Sequence, residues 1–173
     1  MKTLEICTVL VEPGGSPHIP LERSIADTTA LFATAGIRLR HQVGPKLTGA
    51  EVYAILDIGD CSCEDPLTDD QAGLFIFRER MQPHTVAVYL VANVGARYWA
   101  CSRRPPNVPA TALAANAPAW PLGHELGHVM ELPHSNDSRA LMYRYPERLR
   151  GTPILSDDEI AAMAKSPWLR EEP

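Results

Sequence analysis

The chain has 173 residues, 45% apolar and 21% charged, and a formal net charge of −5. That balance fits a globular protein long enough to bury its own core, and one domain over residues 1–173 is expected. The acidic excess and the lack of any basic run argue against a nucleic-acid partner, and no apolar stretch approaches the roughly 20 residues that span a bilayer.

The N-terminal stretch MKTLEICTVLVEPGG has a lysine and a short apolar run, as a leader peptide would. Glu5 breaks that run and no small-residue cleavage site follows, so Leu4–Val11 is expected as a buried strand ended by Pro13-Gly14-Gly15. Without a clear leader, a cytoplasmic protein or one exported by a specialised route is expected. From Leu21 to Ala35 apolar residues recur at helical spacing, with Gly36 as the expected C-terminal cap. Ile37–Val43 alternates, placing Ile37, Leu39, His41 and Val43 on one face of a strand. Thr48–Leu56 leans to a short helix, and Gly59–Pro66 to a loop. Thr68-Asp69-Asp70-Gln71 resembles a capping box and predicts a helix to about Arg80, although Leu74–Phe77 could also be a strand.

Thr85–Val91 is a clear strand, Arg97–Ser102 a shorter one, and Thr111–Asn116 a further candidate. Pro118–Glu131 reads as a helix with prolines only near its start. A loop region follows, and Ser156-Asp157-Asp158-Glu159 opens a last helix to about Lys165. The order of elements predicts an α/β or α+β domain. Of the four cysteines, Cys7 is expected as a buried apolar residue. Cys61 and Cys63 are too close to bridge without strain; either could pair with Cys101 in an oxidising compartment, with free thiols as the default.

The run His124–His134, HELGHVMELPH, carries the chemistry. Residues four apart share a helix face, so His124 and His128 can direct two imidazoles at one zinc ion. Glu125 lies one residue round, where its carboxylate can reach a water on the metal and act as general base without binding the ion. A catalytic zinc needs a third protein ligand and an open position. Pro133 disfavours helix at Leu132, so the chain can leave the helix and return His134 to the ion. Asp137 is the reserve third ligand; Glu159 is a poorer one, since a capping box explains it. His18, His41 and His84 have no partner at metal spacing.

HExxHxxxxxH followed by Ala140-Leu141-Met142-Tyr143 resembles the metzincin clan of zinc endopeptidases, with the ALMY wording most similar to matrixins. The resemblance implies an α+β zincin fold: a twisted mixed sheet of four to five strands, an active-site helix and a C-terminal helix. It implies Zn²⁺ on His124, His128 and His134, Glu125 as the catalytic base, and Met142 in a turn beneath the metal. It also implies a protein or peptide substrate, with Tyr143 and Tyr145 near a substrate pocket. A monomer without membrane or nucleic-acid partners is expected.

The chain departs from the clan pattern in three ways. Glu131 stands where the clan has glycine, and must adopt the sharp turn at a cost of about 1 kcal/mol if left-handed, or the turn must be built differently. Arg144 stands where some members have tyrosine; near the pocket it could favour acidic substrates, or simply be solvated. The first strand begins almost at Met1, so no pro-segment is expected, and no cysteine-switch motif is present. Gly95–Ser102 is the candidate edge for pairing with an extended substrate. Rival readings are a zinc aminopeptidase or other zinc hydrolase, and a non-catalytic binding module clipped by zinc.

Overall fold

Two strands with both faces buried set the centre of the protein, and their sequences show why. Val86–Val91 is VAVYLV, with every residue buried, and Lys2–Val11 is KTLEICTVLV, buried from Ile6 to Val9. β-Branched, continuous apolar runs of this kind belong to parallel strands covered on both sides. The computed structural model describes residues 1–11, 20–48, 58–59, 68–95, 99–102, 108–118, 120–149 and 151–172. In chain order the elements are β1 (Lys2–Val11), α1 (Pro20–Thr34), β2 (Ile37–Leu47) and α2 (Asp69–Ile76), which tightens into a 3₁₀ turn at Phe77–Arg80. Then come β3 (Val86–Val91), β4 (Ala100–Cys101), β5 (Ala110–Ala114), α3 (Pro121–Val129), a 3₁₀ turn at Pro146–Arg148, α4 (Asp157–Met163) and β6 (Leu169–Glu171).

The sheet order is β2-β1-β3-β5-β4. The pairs β1/β2, β1/β3 and β3/β5 are parallel, and β4 closes the far edge antiparallel to β5. β6 runs antiparallel to Lys2–Leu4, on the edge of β1 that β3 leaves open, since β3 begins only at Ile6. The expected sheet of four to five strands therefore has six. A three-residue strand that forms only by pairing with the chain's other end has no periodicity to announce it.

Strand alternation divides the core into two layers. Leu4, Ile6, Val86, Val88, Leu90 and Leu113 face α1 and α3, packing with Phe32, Leu122 and Leu126. Cys7, Val9, Ala87, Tyr89 and Val91 face the opposite way, onto Leu74 and Phe75 of α2. α1 ends as expected, with Gly36 at φ 70 and its N–H bonded to the Ala33 carbonyl at 3.0 Å. The Thr68 capping box also forms: Gln71 N–H donates to Thr68 Oγ1 at 3.1 Å, and Thr68 N–H to Gln71 Oε1 at 3.2 Å. Leu74–Ile76 is helical, so the strand alternative for Leu74–Phe77 does not hold.

Other expectations shift in extent. The strand from Ile37 runs on to Leu47, and its inner face holds only for Ile37 and Leu39; His41 is exposed and Val43 is 83% exposed. β2 is an edge strand whose beginning alone lies under Leu31 and Phe32 of α1. The strand expected over Arg97–Ser102 is reduced to Ala100–Cys101. Apart from Thr48, the short helix expected over Thr48–Leu56 lies outside the described residues. Cys7 is a free, buried thiol, whereas Cys101 is disulfide-bonded; the other two cysteines lie outside the described residues. Spacing could not report that bond, because closure depends on the Cα separation that the fold sets. Among the described residues no helix is long and apolar enough to cross a membrane.

One buried group stands out in the α2 layer. Tyr89 is fully buried edge-on to Phe75, with ring centroids 5.9 Å apart, and its hydroxyl has no hydrogen-bond partner among the described residues. Burial drives the pKa of that hydroxyl upward. An unsatisfied buried hydroxyl costs about 1–3 kcal/mol, and a phenyl ring fills the same space without it. Tyr89→Phe is expected to raise the unfolding free energy by about 1 kcal/mol, read as a higher urea midpoint at unchanged slope.

Candidate metal centre

Helix α3 is buried on every residue except the half-exposed His128. It begins at Pro121, where a missing N–H costs nothing, and no side chain caps it at Trp120. It packs on the sheet beside α1, and the one side chain that reaches toward solvent marks where a ligand can arrive. His124 is 2% exposed and Glu125 8%. Both are polar groups held in an otherwise apolar helix, and such groups need partners.

The two helical histidines are held alike. His124 Nδ1 lies 2.9 Å from the carbonyl of Leu141, and His128 Nδ1 lies 2.9 Å from the carbonyl of Leu132. A carbonyl can only accept, so in both rings Nδ1 carries the proton and Nε2 keeps its lone pair. The His134 ring completes the group. His128 Nε2 and His134 Nε2 are 3.1 Å apart, and one ligand nitrogen from each of the three rings falls within 4.8 Å of the others. Tetrahedral zinc with bonds of 2.0–2.1 Å separates its ligand nitrogens by about 3.3 Å, so the donor set matches such an ion in type, and the His128–His134 pair matches it in spacing.

The turn that returns His134 is built on Glu131. Its φ is 70°, the left-handed region, and Glu131 is the single non-glycine residue there among those described. Glu131 N–H bonds to the His128 carbonyl at 3.0 Å, and Leu132 N–H to the Gly127 carbonyl at 3.0 Å. This is a Schellman ending of α3, with the left-handed residue just past the C-cap Met130. The same reversal aims the Leu132 carbonyl at the His128 ring.

A second segment supports the group from below. Ser135 bridges in parallel to Tyr143: Ser135 N–H reaches the Met142 carbonyl at 2.7 Å, and Arg144 N–H reaches the Ser135 carbonyl at 3.3 Å. Leu141, whose carbonyl holds His124, is itself fixed by its N–H to the Ile154 carbonyl at 3.0 Å. Met142 is fully buried against Gly127 of α3, where a Cβ would overlap its sulfur and stand 3.6 Å from Leu132. Gly127, inside the motif, and the Leu132 and Leu141 carbonyls are contributors that the sequence reading missed. The carbonyls leave no sequence signal, because every residue has one; the glycine was legible only as a missing side chain.

The remaining candidates fall elsewhere. Asp137 binds Arg139 through Nε at 3.2 Å and through a second guanidinium nitrogen at 3.0 Å, and lies outside the three-histidine group. Glu159 closes the Ser156 capping box, its carboxylate 2.7 Å from the Ser156 N–H. Tyr143 is half-buried and meets Tyr145 edge-on at 5.8 Å; Tyr145 is 42% exposed, with Arg148 stacked 4.5 Å above its ring. His41 bonds to Thr8 at 2.9 Å, far along the chain from the group.

Electrostatics favour the metal-ready form of the rings. Burial, helped by the neighbouring His128 and His134, pushes the His124 pKa down to about 3, against the opposing pull of the Leu141 hydrogen bond. Burial and then the charge of Arg144 also lower His134. Neutral imidazole is the ligand form, so binding an ion near neutral pH requires little proton release from His124.

No family model matches the chain, and no curated protein matches it in sequence. Solved structures do match its fold. Metalloproteinase-II from Bacteroides fragilis superposes with a TM-score of 0.68 at 16% identity, over 95% of this chain and 53% of that one. This chain thus spans about half the length of that protein. Archaemetzincin from Methanopyrus kandleri matches with a TM-score of 0.57 at 11% identity, over 94% of each chain. A zinc-dependent peptidase from Methanocorpusculum labreanum gives 0.54 at 12% identity, over 91% of this chain and 99% of that one. At these identities the likeness is one of fold: this mixed sheet with its helices is shared with zinc-dependent peptidases.

Two measurements test the geometry. Glu131→Gly removes the left-handed strain and should stabilise the protein by about 1 kcal/mol, seen as a rise in the thermal midpoint. His124 titrates near 3 when folded and near 6.5 when unfolded, so between those pH values the unfolded chain binds the extra proton. The stability of the metal-free protein therefore holds above pH 6.5 and falls on acidification, with a limiting slope from this one group of about 1.4 kcal/mol per pH unit. Urea midpoints from pH 7 to pH 4 should fall more steeply in the wild type than in His124→Asn.

Proposed function

We propose that this chain is a zinc-dependent endopeptidase, a metzincin-like catalytic domain over residues 1–173, with a protein or peptide substrate and Zn²⁺ as cofactor. One observation carries the reading. Three imidazoles converge with the tautomers of His124 and His128 set by backbone carbonyls, and Glu125, a buried carboxylate, follows the first of them in the helix. A structural clip has no use for that carboxylate and normally closes its fourth position with a further side chain. The described residues offer three ligands to the group, the number of a catalytic site.

In this reading His124, His128 and His134 hold the ion, and bound zinc supplies Lewis acidity toward a peptide carbonyl and toward water. Glu125 removes a proton from the attacking water at its carboxylate. It then delivers that proton to the leaving amine nitrogen, so two peptides form without a covalent enzyme intermediate. Met142 is the floor of the site, acting through Gly127 and the helix rather than through the substrate. Tyr143 and Tyr145 line the side where the residues after the scissile bond would lie.

The edge of the sheet supports an extended substrate. In the described sheet β4 is the end strand and pairs with β5. In this reading an extended substrate runs along the Ala100–Cys101 end of the sheet, within the expected Gly95–Ser102 segment. The matrixin likeness itself rests on Ala140–Tyr143 alone.

The test combines metal content with cleavage. Wild type should bind about one zinc per chain and cleave quenched peptide substrates. His134→Ala should lose most of its zinc affinity. Glu125→Gln should keep its zinc while cleavage falls by about 10²–10⁴-fold. Wild type that holds no zinc after reconstitution, or a Glu125→Gln variant that cleaves like wild type, sinks the reading.

A further inference from the structure

Met142 and Arg144 flank Tyr143 in the short stretch that runs beside His134–Asn136. The two backbone bonds of that bridge, at 2.7 Å and 3.3 Å, sit on either side of Tyr143 and hold this residue extended against Ser135, directly after the turn that the Tyr143 N–H closes onto the Ala140 carbonyl. Side chains alternate along extended chain, so Arg144 emerges on the same side as Met142 and opposite Tyr143, and in a parallel bridge that side is shared with His134.

Arg144 is exposed and has no ion-pair partner among the described residues. The neighbouring cations are already engaged: Arg139 holds Asp137 at 3.0 Å, and Arg148 rests on the Tyr145 ring. In a chain with a net charge of −5, an uncompensated guanidinium beside the metal centre is a local exception. A guanidinium presents a rigid fork of donors that fits a carboxylate better than any other common peptide group.

We infer that Arg144 is a specificity residue that binds a substrate carboxylate within a few residues of the scissile bond, so that the preferred substrates are acidic peptides. This rests on the peptidase reading above. The carboxylate could be a Glu or Asp side chain or the free C-terminus of a short peptide, and the two sources separate by experiment.

The experiment measures binding first. Zinc-loaded Glu125→Gln protein is titrated with fluorescent peptides of one scaffold. Each is amidated at its C-terminus and has Glu or Gln at one of three positions on each side of the expected cleavage point; a neutral peptide with a free C-terminus completes the set. One carboxylate peptide should bind about tenfold more tightly than its neutral partner, a gain expected for a hydrogen-bonded charge and reduced by added salt. The gain should vanish in Glu125→Gln/Arg144→Gln and reverse in Glu125→Gln/Arg144→Glu. If the internal Glu peptide shows the gain, the source is a side chain; if the free C-terminus shows it, the enzyme trims peptide ends. Equal affinities in every pair, or a preference that survives Arg144→Gln, overturn the inference. Cleavage by the active-site wild type is read on the same peptides: acidic preference in binding without any cleavage overturns the peptidase reading and leaves the Arg144 assignment standing.

Discussion

Helix α3 stops in a left-handed residue, Glu131, and the metal side of the molecule is arranged around that stop. The reversal satisfies the last carbonyls of the helix through the Glu131 and Leu132 N–H groups. It also swings the Leu132 carbonyl onto His128 and starts the path that brings His134 back to its partners. A helix running three residues further would carry His134 away along the axis at about 1.5 Å per residue. A glutamate at this position carries strain that a glycine would not, and the turn persists because the hydrogen bonds on both sides define it fully.

Burial keeps this geometry rigid. α3 packs on the sheet beside α1 and is buried along most of its length, and the cost of burying His124 is offset by the Leu141 carbonyl. Met142 fills the space opposite Gly127, and the Ser135–Tyr143 bridge ties the segment below the site to the segment that carries His134. The result is a first set of side chains whose orientation is already determined before any ion arrives, the condition under which metal ligands bind tightly and catalytic groups need not reorganise. The neutral state of His124 follows from the same burial.

The open parts of the site lie on the other side. His128 and His134 reach toward solvent, β4 ends the described sheet, and the Tyr143–Arg148 stretch adds aromatic and cationic surface. A closed, structural metal site has no such approach. The likeness to zinc-dependent peptidases extends over nearly the full length of the two archaeal proteins and about half of the Bacteroides one, which fits a shared domain with different surroundings.

Much of this was legible in residue order. Helical spacing alone puts His124 and His128 on one face, and the apolar runs at Leu4–Val11 and Thr85–Val91 announce central strands, because both signals are local and periodic. A sharp turn at Glu131 was implied only by the resemblance, which has glycine at that position, while Pro133 announced the end of the helix. Other features required the folded chain. β6 exists only because the C-terminus meets Lys2–Leu4, and the inner face of β2 ends where α1 stops covering it. The disulfide at Cys101, the Leu132 and Leu141 carbonyls on the imidazoles, and the fit of Met142 against Gly127 are contacts between segments whose separation along the chain carries no pattern. The sequence by itself determined which side chains could do the chemistry, since that depends on residue type and on the helical repeat. Tertiary structure alone decided which nitrogen of each helical ring is free and what holds it there, because those depend on distances that only the packed chain defines.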